Sequence, residues 1–63
     1  MPPHQQRVIA ERDELADKAV KLKRFLFGTI FNTLATEEQN RLLRQYAYMK
    51  CYLEVLHERI AAF

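Results

Sequence analysis

In the second half of the chain apolar side chains return at Leu42, Tyr46, Met49, Leu53, Leu56 and Ile60, at spacings of four, three, four, three and four. That rhythm is the seam of a helix packed lengthwise against another helix. The first half carries a matching row, Val8, Arg12, Leu15, Ala19, Leu22 and Leu26, and beside it a second row, Ile9, Ala16, Val20 and Phe27. At about 100° per residue the two rows flank an arc of roughly 160°, with Gln5, Arg12, Ala19 and Lys23 near its middle. One partner helix cannot dry both rows. The pattern therefore predicts an all-α, antiparallel two-helix hairpin that assembles with further copies into a homo-oligomeric helical bundle. Whether the Val8 row or the Ile9 row packs within the hairpin is open at this level.

Punctuation agrees with a hairpin. The prolines are Pro2 and Pro3 and the one glycine is Gly28, so breakers fall at the start and near the middle. Helix 1 is expected from about residue 3, where a missing N–H costs nothing, to about 27, with Gly28 as the left-handed residue that ends it. Glu11, Asp13, Glu14 and Asp17 precede Lys18, Lys21, Lys23 and Arg24, the order the helix dipole favours. Thr36-Glu37-Glu38-Gln39 reads as a capping box that opens helix 2, expected to run to about 62. The turn over 28–35 is too apolar for a free linker, and Ile30, Phe31 and Leu34 are expected to plug the end of the hairpin. All of 1–63 is read as one domain.

Composition sharpens the need for partners. A chain of 63 residues that is 49% hydrophobic has too little volume to hide its apolar surface alone. Cys51 is the single cysteine, so no intramolecular disulfide or recognisable zinc spacing is available, and a free thiol fits a reducing cytoplasm. No apolar run is long enough for a membrane span and the start lacks the apolar stretch of a signal peptide, so neither membrane nor export is expected. Ten basic and eight acidic residues leave a net charge of +2, too balanced for general nucleic-acid binding. A DNA-reading helix is not expected either: Arg41, Arg44, Lys50 and Arg59 are interrupted by Glu54 and Glu58, and a third helix is missing.

Catalysis is not expected. The chain has no serine, its one glycine cannot make a phosphate loop, Cys51 has no histidine at a useful helical spacing, and the carboxylates fall mostly on outward faces. No cofactor and no metal site is implied. Binding chemistry is better represented. Beside the seam of helix 2 runs a strip of Arg41, Gln45, Tyr48, Tyr52, Val55, Arg59 and Phe63, mixing aromatic and cationic side chains. Antiparallel packing brings the start of helix 1, with His4, Gln5, Arg7 and Arg12, toward Tyr48, Tyr52 and Arg59. Guanidinium groups grip phosphate oxygens with paired donors and tyrosines stack on bases, so a small nucleotide fits this set best. A plainer reading has Arg12 and Lys23 snorkelling from an interface while the tyrosines fill a core. His4 and His57 are ordinary surface positions in that reading.

These residues also carry a resemblance. Pro3-His4-Gln5-Gln6-Arg7-Val8, then Glu11, Glu14-Leu15, Lys18, Lys21-Leu22 and Phe25, then Glu37-Glu38-Gln39, Leu42-Leu43, Gln45, Met49, Tyr52, Val55-Leu56 and Arg59-Ile60 look like a family of very small hairpin proteins of tailed phages and prophages. More distantly, the layout resembles the phage hairpin sponges that sequester cyclic nucleotide signals of anti-phage systems such as CBASS and Thoeris. That resemblance implies a homo-oligomer, commonly a hexamer, acting in the host bacterial cytoplasm. It implies pockets between protomers for cyclic dinucleotides, cyclic trinucleotides or cyclic ADP-ribose relatives, bound without chemistry. By this pattern His4 and Arg7 match the polar start of the sponge's first helix and Tyr52 its late aromatic, while Arg12, Tyr48 and Arg59 join them on helical geometry. The competing expectation is a helical adaptor that binds a host or phage protein through its exposed apolar row, with no small ligand.

Overall fold

The computed structural model describes residues 1–63 as two long helices joined by a short turn. Helix α1 spans Pro3–Leu26 and helix α2 spans Thr36–Ala61, with a single 3-10 turn at Ile30–Thr33 between them and no strand. The Cα atoms fill 46 × 14 × 13 Å, a rod two helices wide. α1 starts on its prolines: Pro3 needs no N–H partner, and the Pro2 carbonyl accepts from the Gln5 and Gln6 amides at 3.1 Å each. The Gln6 side chain donates back to the Met1 carbonyl at 3.1 Å, tying down the first residues.

The junction departs from expectation in three places. Gly28 is not left-handed, since no residue has positive φ. α1 instead closes through Phe27, at φ −91° and ψ 0°, whose N–H donates to Lys23 O at 3.2 Å, while the Gly28 N–H donates to Phe25 O at 3.0 Å. What Gly28 supplies is room, because a Cβ there would stand 3.3 Å from the Phe25 carbonyl oxygen. The capping box does not form. Ala35 is the N-cap and Thr36 the first helical residue, which moves Gln39 one position too deep for the box. Its side chain reaches back further, donating to Phe31 O at 3.0 Å and Leu34 O at 3.1 Å, and so fastens the 3-10 turn to the second helix. Finally, Phe31 and Leu34 are half-buried as plugs of the hairpin's end, but Ile30 faces solvent.

The seam of α2 is the one its spacing describes. Leu56 is 0% exposed, and Leu42, Tyr46, Met49, Leu53 and Ile60 are each half-buried. On α1 the Val8 row faces it: Val8 and Ala19 are buried and Arg12, Leu15, Leu22 and Leu26 half-buried. The second row is left on a flank. Ile9 and Ala16 are partly covered by their neighbours, whereas Val20 is 48% and Phe27 81% exposed. Only Val8, Ala19 and Leu56 are buried in the whole chain, a small core for 63 residues. Surface ion pairs do not make up the difference: Lys21–Asp17 at 2.9 Å, Arg41–Glu38 at 2.8 Å and Arg12–Asp13 at 2.6 Å all lie in or near solvent. Such pairs contribute roughly 0–1 kcal/mol each.

Candidate functional site

Because α1 and α2 run antiparallel with their seams together, the hairpin has two lateral flanks. On one flank α2 presents Arg41, Gln45, Tyr48, Tyr52, Val55, Arg59 and Phe63, all exposed, with Tyr48 at 68%. Arg41 is held by Glu38, but Arg59 makes no ion pair, so its guanidinium is free to meet an anion. Helical phase puts His4 and Arg7, both exposed on the first turns of α1, on this same flank, near the level of Arg59.

The remaining candidates do not gather as tightly. Arg12 is half-covered, and its Nε donates to Asp13 Oδ1 at 2.6 Å, which turns the guanidinium toward the opposite flank. The expectation that Arg12 shares a side with the tyrosines is corrected by that pairing. Tyr48 is also distant: Arg59 lies eleven residues beyond it, about 16 Å along the helix axis. His4, Arg7, Tyr52 and Arg59 therefore form an open patch at one end of a single flank, with Tyr48 further along it and Arg12 around the corner. The patch has no concavity of its own in one protomer, since none of the six residues lines either hollow of the surface.

One of those hollows is a shallow depression on α2, bordered by Lys50, Cys51, Leu53, Glu54, His57, Glu58 and Ala61. The other lies between the helices on the flank opposite the tyrosines. α1 contributes Ala16, Ala19, Val20 and Lys23 to it, and α2 contributes Tyr46, Lys50 and Leu53. The sequence puts Lys23 inside the apolar arc of α1, and the packed helices set it beside Lys50 and Tyr46. The signal was present, because Lys50 follows the seam residue Met49 and so falls on the flank toward which Lys23 leans.

No helix is long and apolar enough to cross a membrane, and no three metal-ligating side chains cluster. No solved structure matches the chain. Over its full length it is 43% identical, across 63 residues, to the uncharacterized 7.5 kDa protein in the denB-rIIB intergenic region of Enterobacteria phage T4, and covers 98% of that protein. The match to the Sequestin family runs from residue 2 to residue 62, taking in both helices, the turn and both flanks, and the chain belongs to the Sequestin family.

Proposed function

We propose that this chain is a phage-encoded sponge: an oligomer of hairpins, acting in the host cytoplasm, that sequesters a cyclic oligonucleotide or related nucleotide signal of bacterial anti-phage defence without cleaving it. The observation that carries this reading is the match of residues 2–62 to a family named for sequestration. The small core agrees with it, because a hairpin that buries three residues needs other copies to dry Val20, Phe27 and their neighbours. Pockets for a ligand then arise between protomers, where the His4, Arg7, Tyr52 and Arg59 patch, with Tyr48, meets a neighbour's surface. Guanidinium groups hold the phosphates and the tyrosines stack on the bases.

Function follows by mass action. A sponge present in excess of the messenger, with a dissociation constant well below its signalling concentration, leaves the host effector empty. Sequestration of this kind needs no group activated for catalysis. Isothermal titration with cyclic dinucleotides, cyclic trinucleotides and cyclic ADP-ribose isomers tests the reading, with recovery of the intact ligand after denaturing the protein as the expected result. Absence of heat with every ligand would favour the second reading, a protein adaptor, for which the exposed Val20 and Phe27 speak. Native mass spectrometry adds the subunit count and any co-purified ligand.

A further inference from the structure

The flank opposite the tyrosine strip holds a feature that the nucleotide-binding patch does not use. The hollow between the helices has an apolar floor and walls of Ala16, Ala19, Val20 and Leu53, an aromatic side in Tyr46, and two ammonium groups, Lys23 from α1 and Lys50 from α2. Neither lysine is in an ion pair, whereas Lys21 and Arg41 elsewhere on the surface each hold a carboxylate. The two lysines thus border one largely apolar hollow from different helices, and both are exposed. A small anion suits such a pair, since an ammonium group acts on phosphate as a point charge.

We propose that this hollow is an anion subsite that takes a phosphate group of the sequestered nucleotide, with Lys23 and Lys50 as its two cationic arms and Tyr46 as the surface beside the attached sugar or base. The proposal rests on the nucleotide-sponge reading and assigns residues to it beyond the arginine and tyrosine patch. The size of the hollow agrees: at about 210 Å³ it is smaller than the roughly 300–1,000 Å³ of a complete small-molecule pocket, so it admits a phosphate and part of its nucleoside. Val20, which lines it and is 48% exposed, leaves the remaining wall to be supplied by a second copy.

Two measurements on the full chain test this. In the first, inorganic pyrophosphate is titrated while the side-chain ammonium resonances of the lysines are followed by NMR. Lys23 and Lys50 are expected to shift together and saturably, with Lys21 as an unmoved control. In the second, the cyclic nucleotide panel is titrated into Lys23→Met, Lys50→Met and the double variant, with helical content checked by circular dichroism. The double variant is expected to lose affinity about 10-fold or more, and its binding to become less sensitive to salt. Undiminished nucleotide binding by the double variant overturns the subsite and leaves the sponge reading standing. If no nucleotide binds the wild-type chain, the sponge reading falls, and the pyrophosphate titration decides the subsite alone: joint shifts of Lys23 and Lys50 support it, and their absence overturns it.

Discussion

The two flanks of this hairpin are built from the same kinds of side chain, apolar and cationic, but arranged in opposite ways. The flank with Tyr48, Tyr52 and Arg59 takes its aromatic strip from one helix, joined only at one end by His4 and Arg7 of α1, and none of these side chains lines a hollow. The flank with Ala16, Val20, Lys23 and Lys50 draws on both helices, and the small side chains of Ala16 and Ala19 leave a hollow between them. A convex strip offers stacking area and charge but needs a second molecule to enclose a ligand. A concave flank encloses part of a ligand already. The same residue types thus present different surface shapes through placement alone.

Both flanks depend on the seam, and the largest effect is expected there. Leu56→Ala should lower stability by about 2–5 kcal/mol, as expected for a fully buried leucine, seen as a marked drop in the thermal midpoint at fixed protein concentration. Its neighbour Val55, half exposed on the convex flank, should cost under about 0.5 kcal/mol when changed to Ala. Equal losses at both positions would show that the seam has been assigned to the wrong face of α2.

Next in size is the effect on the proposed assembly. Val20→Glu places a charge in the exposed apolar row, and light scattering should show the oligomer's dissociation constant rising about 10-fold or more, since burying an unpaired carboxylate costs well over 1 kcal/mol. Tyr48→Glu, toward the far end of the other flank, should raise it less. The reverse pattern would exchange the roles of the two flanks.

Ligand binding separates the flanks further. On the proposed sponge reading, Tyr52→Ala removes a stacking surface worth about 1–3 kcal/mol, so titration of a cyclic nucleotide should show a loss of about 5-fold to 100-fold. Arg12→Ala should cost less, because Asp13 already holds its guanidinium on the opposite flank. An equal loss at Arg12 would mean that it turns on binding. Smallest is the effect of the turn: Gln39→Ala loses two hydrogen bonds and should cost about 1 kcal/mol in a thermal melt, with both helices retained.

The legibility of the chain was uneven, and for reasons that can be named. Leu42 through Ile60 declare the seam because a helix repeats every 3.6 residues whatever it packs against. The exposed strip of tyrosines and arginines follows by the same arithmetic. The paired rows of α1 were legible as a pair but not as a choice, since each row is apolar enough to face a partner. Lys23 was visible as a polar intrusion, but its companion across the hollow was not, because the register between two helices is not written in either one.

What the amino-acid order determined alone was the all-helical hairpin, the seam on α2, the strip beside it and the excess of apolar surface. Those properties depend on local periodicity and on counting. The packed arrangement decided the rest: that the Val8 row turns inward, that Gly28 supplies room without a left-handed turn, that Gln39 clasps the turn rather than the cap, and that Arg12 leans away from the tyrosines. Each of these depends on the rotation of one helix relative to the other, which is set by contacts between residues far apart in sequence.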